Sequence, residues 1–464
     1  MNSIIKKVLN KDSLSTFYEG NIYPLIITAI VILGNITALE VVFNIFHVVL
    51  AVGALCISRS IKPFIISLCT CYMQISVANS PFYPTRTDYY FSGWRFPVLL
   101  TGCIFIFIGI FVFVIKNKVY SKISIKNTPH IIPLVVLSVS FLLNGLFSSS
   151  WKIGNLLFSL GHVAVYLLLF LLMYHGFSDD DTSEHLSSYF AYISMLISLI
   201  ITTELIHLFI SSDNIFIDGS INKVGVALGW GIWNLVGVSL AVLIPVLFYG
   251  MNKNKYPWLY FAVATVTYLA SILTMSRNAL VFSTLVYGCC VIISCFVGKN
   301  KKAFRILVGA MILIVITALI VLWDKIYTVL GDYFSRGFSD NGRFDMWSAA
   351  FKNFVESPIF GKGFYGLVVE TYTFGPLPIM AHNTVLELLS ATGIIGLLAY
   401  AYYIFDGAKH VLKRPTFMKT MLALSMLVLI AESMLDNFVF NIYPVFYYSV
   451  AMSIIVKSNE EKSE

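Results

Sequence analysis

"PVLLTGCIFIFIGIFVFVI", residues 97–115, is nineteen residues long and carries no charge. Wound as an α-helix at about 1.5 Å per residue, it matches the roughly 30 Å hydrocarbon layer of a bilayer. Similar apolar runs lie to either side, at 22–38, 41–57, 63–79, 131–148, 155–175, 187–210, 224–249, 257–275, 279–297, 305–323, 383–404, 419–436 and 439–456. The pairs nearest the two ends are closely spaced, so the reading is about 12–14 passes. Composition agrees: 58% of the 464 residues are hydrophobic and 12% charged, against about 25% charged in a soluble domain. The expected fold is an all-α integral membrane protein of about 12–14 transmembrane helices with one large external loop.

The net charge of +7 does not call for nucleic acid, because basic residues also orient membrane helices. With the N-terminus cytoplasmic, one set of loops holds 21 of the 31 basic residues, among them Lys116, Lys118, Lys122, Lys126, Lys409, Lys413, Arg414 and Lys419. The other set, with the longer loops 80–96 and 324–382, is nearly balanced in sign. That asymmetry predicts both termini in the cytoplasm and loop 324–382 outside, in a multi-pass membrane protein. No secretory signal with a cleavage site is visible. Residues 1–12 can instead lie at the interface, Ile4, Ile5, Val8 and Leu9 toward lipid and Lys6, Lys7 and Lys11 toward headgroups. The seven cysteines have no metal-ligand spacing and suit packing. No internal repeat suggests the inverted halves of a transporter.

The polar interruption at 343–387, "RFDMWSAAFKNFVESPIFGKGFYGLVVETYTFGPLPIMAHNTVLE", is where chemistry is expected. Phe344, Trp347, Phe351 and Phe354 fall on one helical face, with Asp345, Lys352 and Glu356 off it. Such a helix lies on the outer membrane surface or across the mouth of a cavity. Pro358 stops it, and Gly361-Lys362-Gly363 follows as either a tight turn or a phosphate cradle. Thr384 and Glu387 have capping-box spacing, so the next membrane helix should start near Thr384. His382 then stands at the interface, as a structural hydrogen-bonding group or a functional one.

Arg277, in "LTMSRNALVF", sits between two apolar runs with almost no loop. A charge there snorkels, pairs or faces a polar cavity. With Arg336 and Arg343 it could form a guanidinium cluster suited to a diphosphate. Other polar residues within the apolar runs are His162, Glu204, His207 and Asn234. Glu204 and His207, three apart, read as a proton relay or as helix–helix hydrogen bonds. Asn234 lies among glycines that permit close helix approach.

Taken together, "GWGIWNLVGVSLAVLIPVL", "TMSRNALVF", Arg343 with Trp347, "SPIFGKGFYG" and "AHNTVLELLSATGIIGLLAY" resemble the O-antigen ligase and polymerase superfamily. The resemblance covers roughly residues 224–404. It implies a multi-pass, metal-independent glycosyltransferase that needs no cofactor and uses a polyprenyl-diphosphate-linked (undecaprenyl-type) oligosaccharide donor. It also implies a large external loop over the active site. By position, Arg277 corresponds to the arginine at the helix turn, Arg343 to the arginine opening the loop helix, and His382 to the loop histidine. Asn278 stands where the family often has glycine. The expected division is 1–223 as helical scaffold, 224–404 as the ligase-like core with loop 324–382, and 405–464 as C-terminal helices and tail.

Transfer from a lipid diphosphate needs the leaving group stabilised and the acceptor hydroxyl relieved of its proton. Arg277 and Arg343, with Arg336, suit the first task, and His382 the second. Trp347, Asn383, Asn234 and Lys362 complete the candidate substrate-binding set, and no acidic cluster suggests a metal site. The expected function is a polymerase of surface polysaccharide that joins the donor glycan to a lipid-linked repeat unit on the outer face of the membrane. The alternatives are a ligase acting on lipid A core, wall polymer or protein, and a flippase for the same lipids. Partners are the lipid-linked donor, a glycan acceptor and membrane lipids, with a chain-length regulator and a flippase as further candidates.

Overall fold

The computed structural model describes residues 11–461 except 38, 76–92, 150, 213–214, 218–219, 222, 300, 322, 324–326, 328–330, 332–341, 365, 372–374 and 379. Arg336 and most of the expected interfacial segment 1–12 lie outside the described residues. The chain is about 80% helical, an all-α integral membrane protein. Seven helices among the described residues are long and apolar enough to cross a bilayer, and shorter apolar helices stand at Phe64–Gln74, Ile131–Phe147 and Pro257–Leu273. A helix occupies each of the fourteen apolar runs read from the sequence. In the run 224–249, a small hairpin pairs Ala227–Leu228 with Gly231–Ile232, and the helix begins only at Trp233.

The chain forms two compact units, Met1–Asn117 with Phe177–Phe338 and Lys118–Gly176 with Ser339–Glu464. In the first, helix Trp233–Lys253 is buried along most of its length, with Pro257–Leu273, Arg277–Val297 and Ser183–Ser211 packed around it. It is apolar on every side, as a helix enclosed by other helices should be. Helix Arg95–Lys116, which contains the opening run, buries only Leu99, Gly109 and Phe113 and turns Phe105, Phe107 and Phe111 outward, where lipid replaces protein as the apolar solvent. Glu204 accepts from Asn35 Nδ2 and, at 2.9 Å, from Trp230 Nε1. Hydrogen bonding between elements, one of the two readings of Glu204, is present.

The second unit gathers Ile131–Phe147, Ile153–Gly176, the loop helix Arg343–Glu356, Thr384–Leu412, Phe417–Ser433 and Ile442–Glu460. The long helix Thr384–Leu412 is broken at Gly393, whose φ of 64° and ψ of −163° are not helical. Inside a membrane, a break must have its freed backbone groups re-bonded by protein. The loop 357–363 does this. Lys362 and Gly363 donate their amides to Ser390 O (2.8 Å) and Ala391 O (2.9 Å), and Ile394 N donates to Pro358 O (2.9 Å). Asn144 Nδ2 adds a bond to Phe360 O at 2.9 Å and another to Ala391 O. The fit leaves no room for side chains: a Cβ on Gly361 would lie 2.3 Å from the Ala391 carbonyl carbon, and one on Gly393 2.3 Å from Ile359 O.

Candidate active site

The loop helix opens at Arg343 behind Gly342, whose φ of 76° is left-handed. Its inner face is Met346 and Ala350, one turn apart and buried, while Phe344 and Phe351 are exposed. The amphipathic helix expected from the sequence is present, with part of its aromatic stripe turned outward. Trp347 Nε1 donates to Ala381 O at 2.9 Å, and Asn353 Nδ2 reaches Gly366 O and Ser390 Oγ, each at 3.2 Å. Ala350, Leu367 and Ala381 form a small apolar core beneath it. The loop helix is thereby fastened to the residue just before His382.

Three consecutive residues then tie the start of Thr384–Leu412 to the end of Phe417–Ser433. His382 Nδ1 lies 2.8 Å from Asp436 Oδ1, Asn383 Nδ2 donates to Met434 O at 2.9 Å, and Thr384 Oγ1 donates to Ser433 O at 2.8 Å. His382 holds a left-handed φ of 48°, a conformation uncommon outside glycine, and it does so between anchored neighbours. Asn383 is the N-cap, accepting from Leu386 N at 3.0 Å. Glu387 reaches further back and accepts from Ala381 N at 2.7 Å. The helix does start at Thr384, but the cap is the residue before it, since Thr384 Oγ1 is directed to Ser433.

Asp436 also accepts from Asn437 N at 2.9 Å through the same Oδ1. A carboxylate can only accept, so the His382 proton resides on Nδ1 and the neutral ring presents Nε2 as its basic nitrogen. The hydrogen bond to Asp436 raises the His382 pKa above its ordinary value, against burial and against the positive charge of Arg343, both of which lower it. Arg343 and His382 are each half-buried. Lys362 pairs with Glu356, whose carboxyl it holds below the usual range by hydrogen bond and charge. Since the amides of Gly361, Lys362 and Gly363 all bond within the protein, this glycine-lysine-glycine segment is the tight turn of the two readings, not a free amide cradle.

Arg277 belongs to the first unit, as the first residue of helix Arg277–Val297. Ser276 caps that helix, accepting from Ala279 N at 3.4 Å, and its hydroxyl donates to Asn234 Oδ1 at 2.9 Å. Met275 supplies the turn with a φ of 57°. Gly237 permits the approach: a Cβ there would stand 2.4 Å from that of Ala279. Asn234 therefore positions the turn that carries Arg277.

Asp436 was not singled out in the sequence. The signal available was an aspartate four residues after Glu432 at the end of an apolar run, and ionisable residues at such depth are seldom idle.

Residues 259–401 match the protein family described as O-Antigen ligase. That segment carries Arg277, Arg343, Trp347, Lys362, His382 and Asn383. It bears out the resemblance to the O-antigen ligase and polymerase superfamily, whose members are membrane glycosyltransferases acting on lipid-linked glycans. Asp436 lies beyond the matched segment. Comparison with curated proteins finds no match.

Proposed function

We propose that this protein polymerises a surface polysaccharide. It would transfer a glycan from a polyprenyl-diphosphate donor to a lipid-linked repeat unit on the outer face of the cytoplasmic membrane. The observation that carries this reading is the His382–Asp436 pair, whose histidine stands just before helix Thr384–Leu412 within the segment that matches this family. An acceptor hydroxyl oxygen attacks the anomeric carbon, the bond from that carbon to the diphosphate oxygen breaks, and the diphosphate leaves with the electron pair. His382 Nε2 takes the hydroxyl proton, and Asp436 stabilises the imidazolium that forms. Arg343 supplies positive charge for the leaving diphosphate, a fixed fork of donors suited to phosphate. No metal is required for any of these steps.

The matched family is described as a ligase, which favours a second reading, transfer of the finished glycan to a different acceptor. Both readings share the donor chemistry. One reconstitution separates them: purified protein in liposomes, a lipid-diphosphate-linked repeat unit from the host, and chelator. A ladder of products supports polymerase. Transfer only after addition of lipid A core, wall polymer or protein supports ligase. Folded protein that binds the donor but transfers to nothing overturns both.

A further inference from the structure

Far from His382, at the other end of helix Thr384–Leu412, three metal-ligand side chains converge. Asp406 and His410 are four residues apart and share a helical face. His130 precedes helix Ile131–Phe147 and holds a left-handed φ of 64°. His130 Nδ1 is 2.8 Å and His410 Nε2 3.5 Å from the same Asp406 oxygen. One ligand atom from each residue lies within 4.8 Å of the other two. The His130 side chain is fully buried, and those of Asp406 and His410 are 19% exposed. Phe170 and Tyr403 wall the His130 ring at 5.6 and 5.1 Å. The His410 ring meets that of His130 nearly perpendicular, at 5.8 Å, so the two imidazoles converge edge-on without stacking. His130 Nε2 is buried with no hydrogen-bond partner among the described residues.

We infer that the second unit binds one first-row divalent transition metal, of the zinc class, through His130, Asp406 and His410. Two neutral imidazoles and one carboxylate are a recurrent donor set for such ions and leave a coordination position open. Bonds of about 2.0–2.2 Å in a tetrahedron place ligand atoms roughly 3.3 Å apart, which small side-chain rotations reach from the present spacing. Two of the nearby lysines have other contacts. Lys419 donates to Lys413 O and Asn459 Oδ1, and Lys409 lies over the Phe405 ring. The ion would clasp the start of Ile131–Phe147 to the end of Thr384–Leu412 and take no part in chemistry at His382.

The test uses full-length protein in detergent, freed of any affinity tag, stripped with chelator and titrated with Co²⁺. Expected is a saturable d–d absorption band at one equivalent, abolished by one equivalent of Zn²⁺. His410→Ala and Asp406→Asn should each weaken Co²⁺ binding by more than about a hundredfold, beyond the 10–100-fold typical of outer-shell changes. With chelator present His410→Ala should melt near wild type, and Asp406→Asn, which also loses the charged partner of His130, should melt lower yet stay folded. If either fails to fold, X-ray absorption of zinc-loaded wild type decides, with two imidazole nitrogens and a carboxylate oxygen expected around the ion. No saturable band, equal binding by folded wild type and variants, or a shell lacking imidazole overturns the inference.

Discussion

Replacing Asp436 by Asn separates the charge of the pair from its geometry. Asp436 Oδ1 accepts from both His382 Nδ1 and Asn437 N. An asparagine can keep both bonds only with its oxygen in the same place, because presenting the amide nitrogen would orphan the Asn437 N–H. The His382 tautomer is therefore retained, and the negative charge alone is lost. A hydrogen bond to a charged group contributes about 1.5–3 kcal/mol. The His382 side chain is 40% exposed, so water screens the pair and the lower part of that range applies, about 1.5–2 kcal/mol. At about 1.36 kcal/mol per factor of ten, transfer should slow roughly 10- to 30-fold. Since Asp436 raises the His382 pKa, its loss should also move the acidic limb of the pH–rate profile to lower pH. Linkage gives a second readout. A histidine whose folded pKa is raised contributes stability that is full below its unfolded value, about 6.5, and lost as pH rises through the folded value. The variant's loss of melting temperature should accordingly be larger in mildly acidic than in alkaline buffer. The assay is single-turnover transfer from the lipid-linked donor across a pH series, in wild type, Asp436→Asn, His382→Ala and the double variant. An acidic limb that stays in place would refute the reasoning, as would a further loss when Asp436→Asn is added to His382→Ala.

Alanine at Arg277, Arg343 or His382 should abolish glycan transfer while membrane insertion and abundance stay normal. Lysine at either arginine should restore only part of the rate, because it keeps charge without the fork; normal product from any alanine variant removes that residue from the mechanism. Gly361→Ala should cost more than about 2 kcal/mol, from its left-handed φ of 67° and the contact with Ala391. Gly288→Ala, with nothing within 4 Å, should stay within about 0.5 kcal/mol of wild type in the same melts, and equal melting of the two variants would contradict the docked loop. Trp347→Phe removes the bond to Ala381 O and should lower stability by about 0.5–1.5 kcal/mol; tighter hydrogen-exchange protection of the segment 380–384 would count against that bond.

The membrane fold was legible because its signal is local: an apolar run long enough to span a bilayer reads as a helix whatever its neighbours. The loop helix was legible for the same reason, from the spacing of Phe344, Trp347, Phe351 and Phe354. What periodicity could not show is pairing at long range. Residues 383–404 read as one unbroken span, yet Gly393 interrupts it, since the loop 357–363 supplies the amides that make the break affordable within lipid. Gly361-Lys362-Gly363 left two readings open for the same reason. Its glycines serve close backbone approach to a helix some thirty residues later in the chain. His382 was visible from its place at a helix start, but its partner Asp436 was hidden at the far end of another apolar run.

Three separate fastenings meet at that histidine. Trp347 holds Ala381 from the loop helix, Glu387 holds the Ala381 amide from inside the membrane helix, and residues 382–384 are bonded in turn to 436, 434 and 433. In the mechanism proposed above, a general base hanging on an unsupported loop would lose entropy each time it reached the acceptor hydroxyl. Here the ring tautomer is set by Asp436 and the backbone by its neighbours, so the ordering is complete before substrate arrives. The same fastenings join the loop helix that carries Arg343 to the helix that follows His382. Movement of one would disturb the other, and a substitution that loosens Trp347 should therefore impair proton removal as well as donor binding.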